Sequence, residues 1–186
     1  MRLTMRRSGG YNLIELTVIV SLLGFLATLM VPSAAPYQEQ KLDLAATELA
    51  NALRFTRVEA IRTGQYRAIK INKHTGQVSV GLPQLAGGEV TGFQSLTYNP
   101  IDKKIYEFNA NTLSQDVGVR IDPTNAPFTF KNLTGARDTC LFDAEGNPLL
   151  ISTGASHALT AGAIVLQNGL ATRSIAVSLV GRVSVQ

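Results

Sequence analysis

Residues 9–32 read GGYNLIELTVIVSLLGFLATLMVP, and this stretch decides the fold of the chain. As a helix rising about 1.5 Å per residue, residues 11–31 would be roughly 31 Å long. That length is close to the roughly 30 Å of a bilayer's hydrocarbon core. Three arginines precede the run and would hold its N-terminus on the cytoplasmic side of a membrane. The pattern predicts a membrane-spanning helix half over 11–35, in contact with lipid.

Glu15 lies near the start of this apolar run, where a carboxylate is unfavourable. On insertion scales an acidic side chain at the centre of a membrane helix costs about 2.5–3.5 kcal/mol, and less near the headgroups. No Lys or Arg occurs between Tyr11 and Gln40. If the chain were cut before Tyr11, the new amine could pair with its own Glu15 or with that of a neighbouring subunit. In the second case we predict that Glu15 sets the register between subunits during assembly.

Small and weakly polar residues recur through the apolar run with spacings of four, three and four. They are Thr17, Ser21, Gly24 and Thr28. At about 100° per residue these positions share one narrow face of a helix. Because membrane helices pack closely through small residues, the stripe predicts a helix-packing face. A chance arrangement in an ordinary membrane anchor is the alternative.

The segment GGYNLIEL resembles the prepilin signature of type IV pilins and type II secretion pseudopilins. That signature has a basic leader ending in Gly, an aromatic residue, glutamate at mature position five and a long apolar helix. Here Tyr11 stands where Phe is usual, and Pro32 matches the position of a helix bend. The resemblance implies a leader over 1–10, cleavage between Gly10 and Tyr11 by a prepilin peptidase, and N-methylation of Tyr11. It also implies filament assembly with other major and minor pilins or pseudopilins on an inner-membrane assembly platform.

From residue 36 to residue 64 the sequence has the pattern of an amphipathic helix. Charged residues, Glu59 among them, are predicted to lie off its apolar face. Phe55 and Val58 are predicted on the outer face, where they contact either a neighbouring subunit or a loop of the same chain. Gly64 is placed to end the helix. The predicted apolar stripe comprises Leu42, Ala46, Leu49, Leu53, Thr56 and Ala60.

Residues 65–186 change to a period of two, which is typical of strands. Turns are predicted at 73–76, at Asn168-Gly169 and around Gly181, and short strands at 104–108, 117–121 and 128–131. Residues 81–99 are weakly patterned and are predicted to form a long loop. The sequence therefore predicts an α+β fold, in which a long N-terminal helix packs on an antiparallel β head of two sheets.

Three segments of the head extend the resemblance. LRFTRVEAIRTGQ, LFDAEGNP and VSLVGRVSV are similar to segments of the GspH/FimT group of minor pilins and pseudopilins. This resemblance implies a type IV pilin-like fold and covers nearly the full chain.

Catalytic and metal-binding patterns are weak in this sequence. His157 lies near Ser152 and Ser156, but GASHA lacks the glycines that flank the nucleophile of a nucleophile elbow. Asp143–Asn147 resembles a plain turn, because its glycine falls too early for an EF-hand. The single cysteine, Cys140, excludes an intrachain disulfide and is predicted to lie in the core. We expect no enzyme activity, no metal and no cofactor.

DNA binding is an alternative because some pilins of this group bind DNA. In those proteins the C-terminal Gly-Arg is followed two places on by another basic residue, whereas here Ser184 follows Gly181-Arg182-Val183. Arg173 and Arg182 are the candidate contacts, and two arginines make few phosphate contacts. The net charge of +4 also falls to +1 without the leader arginines Arg2, Arg6 and Arg7. We do not expect DNA as a partner.

The sequence as a whole predicts a minor subunit of a type IV pilus or a type II secretion pseudopilus that helps to initiate or cap the filament. The resemblance implies a bacterial inner-membrane protein with one membrane pass and its head in the periplasm. The alternatives are a DNA-binding competence minor pilin, or a secreted or membrane-anchored β-domain protein with an ordinary signal peptide. An ordinary signal peptide would be cut near Ala35-Pro36.

Overall fold

The computed structural model describes residues 12–29, 34–112, 119–124 and 127–186. The chain forms two compact units, residues 1–34 and residues 35–186. The predicted cleavage residues Gly10 and Tyr11 and the predicted helix bend at Pro32 lie outside the described residues.

The first unit contains helix α1, Leu13–Leu29. Leu, Ile, Val and Phe make up most of its sequence, and Glu15 lies in its first turn. Among the described residues, no helix is both long enough and apolar enough to cross a membrane. The predicted span over 11–35 includes residues outside the described ranges, so it stays a prediction.

Helix α2 spans Ala34–Thr63 and packs one face on the β head. All six residues of the predicted apolar stripe are fully buried, which confirms the stripe. Gly64 follows the helix with a φ of 63°, the left-handed conformation of a residue that ends a helix. Glu59 is buried although the sequence placed it off the apolar face, and its surroundings are described below.

The described residues of the head form eleven strands, and every pairing between them is antiparallel. Their order in the sheet is β11-β10-β9-β8-β7-β1-β2-β3, with β4 beside β2 and with β5 and β6 beside β9. The strands are β1 (Arg67–Ile71), β2 (Gln77–Ala86), β3 (Glu89–Leu96), β4 (Glu107–Asn109), β5 (Arg120–Ile121), β6 (Phe128–Phe130), β7 (Thr139–Phe142), β8 (Pro148–Ser152), β9 (Ala155–Asn168), β10 (Ala171–Val177) and β11 (Val183–Val185).

The long strand β9 joins the two halves of the sheet. Its first part pairs with β8 through Ala155–Ala158, and its last part pairs with β10 through Gly162–Asn168. The α+β class and the antiparallel head are confirmed. The two predicted sheets share β9, so a continuous path of hydrogen-bonded strands connects them.

The prediction of a loop over 81–99 was wrong. Strand β2 continues to Ala86, and β3 follows after a tight turn at Gly87 and Gly88, whose φ values of 61° and 78° suit a hairpin. The pairing shifts register between Leu82 and Pro83 and again between Gln84 and Leu85. These irregularities break the alternation of apolar and polar residues, so the sequence pattern does not reveal the strand.

The predicted hairpins at 73–76, 168–169 and 181 are present. In the second, Asn168 pairs with Ala171, so Gly169 and Leu170 are the central residues of the turn. The predicted short strand at 104–108 is not continuous. Ile105 forms an isolated bridge, and Glu107 and Phe108 are the first two residues of β4. The predicted strand at 128–131 forms β6 over Phe128–Phe130. In the predicted strand at 117–121, Arg120 and Ile121 form β5, and residues 117 and 118 lie outside the described residues.

The core lies between α2 and the sheet. Among its fully buried residues are Leu49 and Leu53 from α2, Ile69 and Phe142 from the central strands, and Cys140. Burial raises the pKa of the Cys140 thiol above its usual value. The prediction of a core cysteine is confirmed.

Candidate functional site

Glu15 is exposed on the first turn of α1. Within the described part of the chain, its carboxylate contacts no cation. Apolar side chains cover the helix around it, and ten of them are between 43% and 81% exposed. A contiguous exposed apolar surface marks a site of contact with lipid or with another protein. Glu15 therefore lies where a cation from another subunit could approach it.

The hydroxyl groups of the predicted helix-packing stripe donate hydrogen bonds to backbone carbonyl oxygens of α1. The hydroxyl of Thr17 donates to the carbonyl oxygen of Leu13 at 2.7 Å, and that of Ser21 donates to the carbonyl oxygen of Thr17 at 2.8 Å. Thr28 donates to the carbonyl oxygen of Phe25 at 2.7 Å. A Cβ atom built on Gly24 would meet nothing within 4 Å. The stripe thus presents small side chains without unpaired hydroxyls, as close helix packing requires.

Phe55 and Val58, both predicted on the outer face of α2, have different surroundings. The ring of Phe55 stacks on that of Tyr106, with centroids 4.9 Å apart and planes 16° from parallel. Burial raises the pKa of Tyr106 to about 12, and the charge of Glu48 adds to the shift. Val58 is 59% exposed. Phe55 therefore packs within its own chain, and Val58 is left on the surface.

An ion network around the buried Glu59 at the end of α2 was not predicted. Two guanidinium nitrogens of Arg62 donate to the Glu59 carboxylate at 2.7 and 2.8 Å, and Arg67 lies 3.8 Å away. The hydrogen bonds from Arg62 lower the pKa of Glu59 against the opposing effect of burial. Arg67 comes from β1, so a sequence pattern within the helix could not reveal its approach.

Two turns of the head meet α2 at Arg57. Its Nε donates to the carbonyl oxygen of Gly146 at 3.0 Å. A Cβ atom on Gly181 would lie 2.5 Å from that same oxygen and 2.9 Å from the Nε of Arg57. The three segments that carried the resemblance of the head therefore touch one another, which the sequence alone did not show.

The two arginines proposed as DNA contacts are not brought together. Arg173 is near the start of β10, and its Nε pairs with the carboxylate of Asp43 at 2.6 Å. Arg182 lies in the turn after the end of β10 and is exposed. One of the two charges is thus neutralised within the chain, and the arginines occupy opposite ends of the strand.

The residues considered for catalysis or metal binding have ordinary structural surroundings. The ring nitrogens of His157 lie 3.0 and 3.3 Å from the backbone carbonyl oxygens of Lys131 and Ser152. The Asp143 carboxylate accepts from the backbone nitrogens of Glu145 and Asn147, which confirms the plain turn. No group of three or more metal-binding side chains occurs in the described ranges.

A family model described as type II transport protein GspH matches residues 45–181, about three quarters of the chain. The chain belongs to the GspH family. The match begins in α2 and ends at Gly181, so it includes Arg57 and both glycines that meet there. No curated protein sequence matches this GspH-family chain.

Solved structures similar to the GspH-family chain are a minor pseudopilin and a minor pilin. The minor pseudopilin EpsH from the type 2 secretion system of Vibrio cholerae is 13% identical, with 78% of this chain and 96% of that chain covered and a TM-score of 0.50. The type IV minor pilin FimU of Pseudomonas aeruginosa is 19% identical, with 80% and 90% covered and a TM-score of 0.48. The likeness to EpsH supports the pilin-like fold.

Membership of the GspH family assigns the chain to the minor pilins and pseudopilins, which act in type IV pili or type II secretion systems. Proteins of this kind are structural subunits that interact with other pilins or pseudopilins, and they are membrane-associated on the periplasmic side. The recognition made from GGYNLIEL and from the head segments is confirmed.

Proposed function

We propose that this protein is a non-enzymatic minor subunit that helps to initiate or cap a type IV pilus or a type II secretion pseudopilus. One observation carries the proposal: a GspH head over 45–181 follows a prepilin-like segment over 9–32 in the same chain. The head alone fits a secreted β domain, and the apolar segment alone fits an ordinary anchor. Their combination fits a filament subunit.

In the proposed pathway the chain enters the inner membrane through residues 11–35, with the head in the periplasm. A prepilin peptidase removes residues 1–10 and the new N-terminus at Tyr11 is methylated. The assembly platform then moves the subunit from lipid into the filament. The exposed apolar surface of α1 supports this step, because it is suited first to lipid and then to the helices of other subunits.

Glu15 is proposed to align subunits by pairing with the amine of Tyr11 from an adjacent chain. At about 4 Å and an effective dielectric near 20, this attraction is on the order of 4 kcal/mol. An unpaired carboxylate among bundled helices would be costly. The pair therefore favours one axial register.

Processing is tested with Gly10→Val, and with Ser8→Val as a control that adds bulk nearby in the leader. The wild type and the control should begin at Tyr11 when membrane-extracted protein is sequenced from its N-terminus. Gly10→Val should keep its leader, because the side chain obstructs the extended backbone at the cut site. A wild-type start at Pro36 would mean an ordinary signal peptide and would contradict the proposed function.

The machine is identified by deleting the gene in its own host. Loss of surface pili points to a type IV pilus, and loss of secreted enzymes with pili intact points to a secretion pseudopilus. Wild-type protein should also be recovered with the sheared pili or with the detergent-extracted pseudopilin complex. Its absence from both would overturn the proposal.

A further inference from the structure

The outer face of α2 carries arginines beside exposed apolar side chains. Arg54 and Val58 are exposed on the side of the helix away from the buried stripe, and the partly buried Arg57 lies between that side and the stripe. Val58 is 59% exposed, and Ile61, one turn further along, is 48% exposed. The buried stripe holds α2 on the sheet, and these residues lie at or beyond the edge of that contact.

The turn between β10 and β11 lies against this face. Arg54 Nη2 lies 3.3 Å from the carbonyl oxygen of Val183, which accepts its hydrogen bond, and Gly181 approaches the Nε of Arg57. Arg182 lies between these two contact points in sequence, and its side chain is exposed. The turn therefore adds a third arginine to the two from the helix.

The same turn supplies more exposed apolar side chains. Leu179 is 62% exposed and Val180 is 64% exposed. Together the helix and the turn form one surface, which we call the arginine surface. It comprises Arg54, Arg57, Val58, Leu179, Val180 and Arg182.

The charges of the arginine surface are not neutralised by the chain itself. Among the described residues, none of its three arginines forms an ion pair. Arg54 donates to the amide oxygen of Asn51 at 3.2 Å as well as to Val183, and Arg57 donates to a backbone carbonyl. By contrast, Arg62 and Arg173 each pair with a carboxylate.

We propose that the arginine surface binds an acidic, partly apolar surface of another pilin-like subunit. The inference rests on the proposed function, and it adds the chemistry of the partner. Carboxylates match the fork of an arginine in two hydrogen bonds, and arginines are enriched where protein interfaces gain most of their affinity. The exposed Val58, Leu179 and Val180 suit an apolar protein surface, whereas a phosphate backbone offers them no counterpart.

The hydrogen bonds of Arg54 and Arg57 within the chain also reduce the side-chain conformational entropy that is lost when a partner binds. Carbonyl oxygens hold Arg54 and Arg57 in place before any partner arrives, so fewer rotamers are lost when carboxylates bind. Since charge complementarity strongly affects the association of two proteins, the contact should weaken as salt is raised.

The experiment uses the full-length chain in its own host, with a photo-crosslinking amino acid at Val58. Mass spectrometry of the cross-linked peptides should identify a subunit with its own prepilin-type N-terminus, joined through an acidic segment. The double variant Arg54→Glu/Arg182→Glu should lower the yield of this product at least about tenfold. Lys103→Glu/Lys104→Glu, in the loop after β3, makes the same change in net charge and should alter the yield less than about twofold. Thermal unfolding of each variant checks that the head is intact.

A reciprocal variant tests the charge pairing directly. Changing the acidic residues of the cross-linked peptide to lysine should restore the product with Arg54→Glu/Arg182→Glu. No product at Val58, a product unchanged by the charge reversal, or an equal loss in the Lys103/Lys104 control would overturn the proposal. So would cross-linking to nucleic acid or to a second copy of this chain. If wild-type protein is present in the filament fraction, each of these outcomes rejects the arginine surface but leaves the proposed function standing.

Discussion

At the scale of single residues, Glu15 and Glu59 show how surroundings decide the role of a carboxylate. Glu15 is exposed on an apolar helix and has no cation near it in the described structure. Glu59 is buried and is held by Arg62, with Arg67 nearby. The first carboxylate is exposed with no cation beside it among the described residues, and the second forms ion pairs within its own head.

Replacing Glu15 with Gln should leave cleavage after Gly10 and membrane insertion intact, because the size of the side chain is kept. Incorporation into the filament should fall, since the amide cannot form the proposed ion pair with the amine of Tyr11. The measurement compares processed protein in membranes with protein in sheared filaments. Thr17→Ser, a small change on the same helix, is the control. Incorporation of Glu15→Gln at the wild-type level would remove Glu15 as the register device.

Replacing Glu59 with Gln should lower the free energy of unfolding by about 1–2 kcal/mol near neutral pH, because Arg62 and Arg67 lose their carboxylate. The pKa of Glu59 is lowered from 4.5 in the folded head, so the folded state binds its proton at lower pH than the unfolded chain does. Its stabilisation is complete above the unfolded pKa and is lost as the pH falls through the folded pKa.

Denaturant unfolding of the head at a series of pH values measures this effect. The difference between the wild type and Glu59→Gln should be constant near neutral pH and should shrink below pH 4.5. Glu145→Gln changes an exposed carboxylate and serves as the control. A difference that grows as the pH falls would contradict the assignment.

At the scale of elements, two turns of the head contact α2 at Arg57. Glycines in these turns let backbone and side-chain atoms approach closely. Gly181 has a φ of 75°, and a Cβ atom there would lie 2.5 Å from the carbonyl oxygen of Gly146. Gly87 has a similar φ of 61°, but a Cβ atom there would meet nothing within 4 Å. The two positions share the conformational requirement and differ in the space available.

Gly87→Ala should therefore destabilise the head by about 1 kcal/mol, the cost of a side chain in the left-handed region. Gly181→Ala should destabilise it by roughly 1–3 kcal/mol more, because the added methyl group pushes the turn away from Arg57. Thermal or denaturant unfolding of the two variants gives the comparison. Equal losses would show that the turn moves freely and that its contact with α2 contributes little.

At the scale of the whole molecule, the core belongs to one unit. The buried stripe of α2 and the strands that cover it all lie within residues 35–186. A chain that starts at Tyr37 keeps this stripe and leaves out α1 with its exposed apolar surface.

We therefore expect residues 37–186 to fold as a soluble monomer. Circular dichroism should show mainly β structure with one helix, and unfolding should be a single cooperative transition, as is usual for domains of this size. Leu49→Asp places a charge in the core and should abolish that transition. A mainly helical or unfolded spectrum of the unmodified head would refute the architecture.

The amino-acid sequence by itself determined the features that depend on local spacing. The apolar stripe of α2, its end at Gly64 and the hairpins near Gly76, Gly169 and Gly181 follow from periodicity and from glycine at turns. The prepilin-like segment GGYNLIEL and the head segments were sufficient to recognise the family. Each of these signals is complete within a few turns or strands of the chain.

Only the tertiary structure decided which distant segments meet. The sequence did not reveal β3, because register shifts near Pro83 hide the alternation that marks a strand. It could not show that Arg67 approaches Glu59, that Asp43 neutralises Arg173, or that Gly146 and Gly181 meet at Arg57. The arginine surface likewise exists only because a helix and a turn more than 120 residues apart pack together. Such contacts arise from the packing of the whole core, and no pattern within one segment encodes them.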